Sequence, residues 1–140
     1  MTTARTGPGR FQWNAGGWFG GQVGSTIWMI IAGVVLLARG VVPGIWLLVC
    51  FAATNVIGFV IWSRRDRIAP HPAIQCLLAV MAVATAIGLI LLDIHGGAAG
   101  MPMPSWYYGV LLLFPAMMLQ FAMQERASRD GREESAGDPD

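Results

Sequence analysis

Apolar side chains fill four long stretches of the chain, at residues 18–38, 43–62, 73–92 and 105–124. A bilayer core about 30 Å thick needs roughly 20 apolar residues per helix at 1.5 Å rise. Each stretch meets that length, so the pattern predicts four transmembrane helices. The third is the most apolar: its five Leu, three Ile and two Val are interrupted only by Gln75 and Thr85. Those ten residues favour insertion by about 3 to 6 kcal/mol.

The joints carry helix start and stop signals. Gly40 suits a left-handed position after the first helix, and Pro43 suits the first turn of the second. Pro70 and Pro72 precede the third stretch, and Pro102 and Pro104 precede the fourth. Pro115, midway along the fourth, predicts a kink or relaxed hydrogen bonding there. The fold class expected is an all-α integral membrane four-helix bundle. Residues 1–17 form an interfacial arm, and residues 125–140 a charged tail that is disordered or helical only over its first turns.

Composition sharpens this picture. The 140 residues are 55% hydrophobic and 12% charged, about half the charge of an ordinary soluble domain. Between Phe11 and Ser63 the only charge is Arg39, and between Ile68 and Gln124 it is Asp93. A soluble globule and a nucleic-acid binder, which needs a basic surface, are both excluded. All nine basic residues are arginine, and the absence of lysine beside abundant Ala, Gly and Arg suggests a bacterial source.

Arginine placement predicts orientation. Arg5, Arg10, Arg64, Arg65, Arg67, Arg126, Arg129 and Arg132 share one side of a four-span topology, against Arg39 alone on the other. By the positive-inside rule both termini are cytoplasmic, in a bacterial inner membrane. Trp13, Trp18 and Trp62 then mark the inner interface, with Trp46, Trp106, Tyr107 and Tyr108 at the outer one. A cleaved signal peptide is not expected, because the uncharged run from Phe11 to Ala38 exceeds an h-region of roughly 7 to 15 residues. Arg64, Arg65 and Arg67, offset only by Asp66, are expected to face anionic lipid headgroups.

The most unusual run is Trp13 to Trp28, where Gly16, Gly20 and Gly24 repeat every four residues, as do Gly17, Gly21 and Ser25. Two interleaved small-x-x-x-small series place small side chains on one broad helix face, so these six residues are candidates for close helix packing. The competing reading makes Gly16 to Gly21 a non-helical entry whose backbone amides meet a lipid phosphate.

Polar groups inside spans are the other pointers. Gln22, Asn55, Gln75 and Gln120 form a candidate polar lining for a vestibule; the alternative is a set of interhelical hydrogen bonds. Asn55 lies nine residues, about 13 Å, from Arg64 along the helix. No span interior holds an acid or a base, which argues against proton-coupled transport. Near the outer face, His95, Met101 and Met103 make a weak Cu(I) candidate beside Asp93, with interfacial hydrogen bonding and loop packing as the alternative. His71 and His95 are 24 residues apart, about 36 Å along a helix, and so do not share a haem. Cys50 and Cys76 form no C-x-x-C pair and read as small hydrophobes.

These features predict a non-enzymatic membrane protein without a cofactor, acting as a packing, scaffold or accessory subunit. Its expected partners are the lipid bilayer and either a second copy or another membrane protein. The alternative is a small channel or transporter for a neutral or weakly charged solute. An enzyme ranks third, confined to the Asp93/His95 edge.

Overall fold

The computed structural model describes residues 13–136, with side chains through residue 127. Among the described residues every element is helical, and four helical segments are long and apolar enough to cross a membrane. They are α1 (Ala15–Ala38), α2 (Gly44–Ser63), α3 (Pro70–His95) and a fourth span made in two parts. That last span is a 3-10 stretch (Ser105–Leu112) running into α4 (Leu113–Ala136). The chain is therefore an all-α, multi-pass four-helix bundle.

Local chemistry explains the ends. Asn14 adopts an extended conformation and its side-chain oxygen accepts from the Gly17 amide at 3.2 Å, so α1 starts at Ala15 and the glycine-rich run is helical. At the other end Gly40 takes φ 76°. Its amide donates to Leu37 O at 2.9 Å, and the Val41 amide reaches back to Leu36 O at 2.8 Å. These two bonds are a Schellman motif, and Val41 packs against the apolar cluster that contains Leu36.

Three spans depart from the expected limits, the first only in starting at Ala15 rather than at residue 18. The third is longer at both ends, because Pro70 and Pro72 sit inside its first turn, where a missing N–H removes no helical bond. Pro115 falls in the first turn of α4, where the 3-10 stretch gives way to α-helix. Lacking an amide proton, it supplies no helical bond back across that junction, so the hydrogen bonding of the span is interrupted there. The same helix continues from the apolar segment to Ala136, through part of the charged tail. Arg5 and Arg10 of the arm, and residues 137–140, lie outside the described residues.

Packing is uneven. α1 and α2 form the most extensive pair, α3 packs on α2, and α4 lies against α3 with no comparable contact to α1. None of the residues in the apolar window of the fourth span is buried. Two apolar clusters result. One gathers Met29, Leu36, Leu47, Ala84 and Leu92; the other gathers Trp18, Ala73, Leu77 and Met81 with Trp13 and Trp62 around them. The buried polar side chains of α1, α2 and α3 are Gln22, Thr26, Thr54 and Thr85, and α4 buries Glu125. Lipid is as apolar as these cores, so close van der Waals contact and hydrogen bonds hold the helices together.

Candidate functional site

The polar layer is centred on the seam between α1 and α2. Gln22 is 1% exposed. Its Nε2 donates to Thr54 O and to Asn55 O, each at 3.1 Å. Asn55 Nδ2 answers by donating to Thr26 Oγ1 at 3.2 Å and to Phe51 O at 2.8 Å. Thr26 Oγ1 donates to Gln22 O at 2.8 Å, and Trp18 Nε1 donates across the seam to Gly58 O at 3.2 Å. Gln22 Oε1 is buried without a conventional donor. The Cβ direction of Gly58 points straight at this carboxamide.

The four sequence-predicted amides do not converge. Gln22 and Asn55 belong to this seam. Gln75 is half-buried elsewhere, donating to Met118 O at 2.9 Å and so tying α3 to α4. Gln120 is exposed on α4 and joins neither group. The expected lining is thus split by helix geometry, because α4 turns Phe114 and Met118 rather than Gln120 toward α3.

The glycines of α1 behave differently from the expectation of intrachain packing. A Cβ added at Gly20, Gly21 or Gly24 meets nothing within 4 Å, and at Gly16 or Gly17 it meets only Asn14. The reason is the rotation of α1, which presents Trp18, Gln22, Met29, Gly33 and Leu36 to its neighbours instead. Close approach inside the chain falls to glycines outside the α1 series. Gly33 faces Gly44, Gly58 faces Gln22, and Gly88 faces Trp28, where an added Cβ would lie 2.7 Å from Cη2. Gly58 has a visible partner signal, since Thr54 and Gly58 form a small-x-x-x-small pair on α2.

The two interleaved series part company. Gly17, Gly21 and Ser25 line a cleft of about 530 Å³ between α1 and the fourth span, with α3 as its floor. Gly16, Gly20 and Gly24 do not line it and are exposed on the adjoining face. The cleft walls are Trp13, Trp18 and Trp28 from the α1 side, Ile74, Leu77 and Met81 from α3, and Phe114, Met117 and Phe121 from α4. Its polar contributions are few: Asn14, Gln22, Ser25 and Thr85. Ser25 Oγ donates to Gly21 O at 2.7 Å and lies 3.9 Å from Met81 Sδ on the α3 side of the cleft.

One end of the cleft is aromatic and basic. Trp13 and Trp18 stand 5.1 Å apart by ring centroid, and Trp62 meets Trp13 edge-on at 5.5 Å. Arg65 lies over the Trp62 ring, 5.3 Å from its centroid. Arg64 and Arg67 share the same α2–α3 turn and are exposed, as is Asp66.

The opposite end carries the Asp93/His95 edge. Asp93 accepts from Tyr108 Oη at 3.1 Å, which joins the end of α3 to the 3-10 stretch. The chain after His95 forms a short 3-10 turn (Gly97–Ala99), and Gly100 at φ 70° sends Met101 back so that its amide donates to Gly96 O at 2.8 Å. Met103 packs against the apolar cluster around Leu36 and Leu92. Among the described residues no group of three or more His, Cys, Asp or Glu comes together to hold a metal.

No family model, curated protein or solved structure matches this chain.

Proposed function

We propose that the protein is a non-enzymatic scaffold subunit of the plasma membrane that docks a transmembrane helix on the Gly16/Gly20/Gly24 face of α1, the helix of a second copy in the first instance. Both termini are cytoplasmic in this reading, on the strength of eight arginines against one. The observation that carries it is the unused smallness of that face. A glycine costs a helix roughly 0.8 to 1 kcal/mol relative to alanine in water. Gly33, Gly44, Gly58 and Gly88 offset that cost by admitting a neighbour, whereas Gly20 and Gly24 admit nothing within the chain. A helix with small residues every four positions lets another backbone approach closely, so a partner outside the chain gives the repeat its use. Val23, Ile27 and Ile31 on the same exposed side extend an apolar surface beyond the glycines.

Gly20→Leu and Gly24→Leu test the proposal. The molar mass of the purified full chain in mild detergent, by light scattering, is expected to exceed one protomer and to fall to one protomer in either variant. An unchanged mass in both variants, or a wild type that is already a single protomer, overturns self-association.

A further inference from the structure

The cleft beside that glycine face has its own occupant. We propose that it binds one acyl chain of an anionic phospholipid, whose phosphate is held by the arginines of the α2–α3 turn.

Length suits the cleft to a lipid chain. From Asn14 to Trp28 its wall spans about 21 Å of helix axis, more than one leaflet's hydrocarbon depth of about 15 Å, half of a 30 Å core, so an acyl chain running in from the interface lies against the wall along its whole length. The lining agrees, with aromatic rings, leucine and methionine along its length and its one serine hydroxyl already satisfied by Gly21 O. An empty apolar cleft within a bilayer would forfeit dispersion contacts along both walls, and flexible Met81 and Met117 adapt to a chain of irregular conformation.

Charge selects the headgroup. Pro70 lines the cleft and Arg67 precedes it by three residues, so the basic turn adjoins that end directly. Trp13, a cleft residue, meets Trp62, and Arg65 stacks on Trp62. The Arg65 guanidinium is thus carried one ring beyond the apolar wall. Arg64, Arg65 and Arg67 against Asp66 favour an anionic over a zwitterionic headgroup, since each basic residue near the surface attracts anionic lipid.

The test is lipid titration of the detergent-purified full chain, read by native mass spectrometry, with phosphatidylglycerol and phosphatidylcholine of the same acyl chains. The wild type is expected to retain one phosphatidylglycerol with about tenfold preference over phosphatidylcholine. Gly21→Leu fills the cleft without an intrachain clash, because an added Cβ there meets nothing within 4 Å. It should abolish retention of both lipids, while Gly20→Leu, outside the cleft, should leave retention unchanged. Arg64→Gln/Arg65→Gln/Arg67→Gln should keep phosphatidylcholine-level binding and lose the preference. Equal retention of the two lipids by the wild type, or full retention by Gly21→Leu, overturns the proposal. The docking proposal for the glycine face fails separately, through Gly20→Leu and oligomer mass.

Discussion

Gly33 and Gly44 face each other across the α1–α2 contact so closely that each occupies the other's side-chain space. A Cβ on Gly33 would sit 2.9 Å from Gly44 O, and one on Gly44 would sit 2.7 Å from Gly33 O. The obstacle is backbone on both sides, and backbone in a packed helix has no alternative rotamer. Mutual exclusion of this kind sets the distance between the two helices at the end where the Gly40 turn joins them.

Gly44→Ala is therefore expected to destabilise the fold by about 1 to 3 kcal/mol, the usual cost of overpacking a tight contact. The added methyl also meets Leu36 Cβ at 2.7 Å, so no single shift relieves it. Gly20→Ala, with open space around its Cβ, should be neutral or mildly stabilising in the same protomer. Unfolding midpoints in a mixed-micelle titration of dilute protein measure both. Equal effects at the two positions would show that the Gly33–Gly44 approach does not control stability.

At the other end of the same seam, Gly58 is coupled to Gln22. A methyl on Gly58 would fall on the Gln22 carboxamide, which is fixed by its bonds to Thr54 O and Asn55 O. Gly58→Ala alone should be costly, since it expels a hydrogen-bonded amide from its place. Gln22→Ala alone should cost less: interhelical hydrogen bonds in membranes average about 0.6 kcal/mol. In the double variant the collision is gone, so the two changes should be non-additive by roughly 1 to 3 kcal/mol, with the pair milder than the sum. A double-mutant cycle on the same unfolding assay reads this directly, and additivity refutes the contact.

The pattern of residues revealed the spans and their ends better than it revealed their neighbours. Gly40 could be placed in a left-handed C-terminal turn because helix termination is local chemistry, and φ 76° follows from it. The α1 glycines were conspicuous for their repeat, yet repetition reports only that a face is small, not which helix meets it. Isolated Gly33 and Gly44 are invisible for the converse reason: a single glycine in an apolar run becomes meaningful only when its partner, here the other glycine's carbonyl, is seen above it. The amides were legible as hydrogen-bonding groups, but their grouping depends on rotation of each helix about its axis. In lipid that rotation leaves a weak hydrophobic signature, because the outer face of a span is as apolar as its inner face. The displaced position of α4, and hence the cleft, lay beyond sequence reasoning for the same reason.

That position of α4 depends on few polar links. Gln75 Nε2 bonds Met118 O at 2.9 Å across α3 and α4, while Gln120, two residues further along, is exposed. Gln75→Leu removes the donor but keeps the side chain's bulk, so the loss should be about 0.6 kcal/mol of α3–α4 attachment rather than unfolding. With no extensive α1–α4 contact to compensate, the fourth span should then sample a wider range of distances from α1. Spin labels at Ile31 and Leu119, both exposed, report this as a broadened α1–α4 distance distribution in pulsed electron resonance. Gln120→Leu, made on the exposed side of the same helix, should leave the distribution as narrow as in the wild type. If Gln75→Leu does so as well, the carboxamide is not what holds α4 in place, and apolar contact between α3 and α4 suffices.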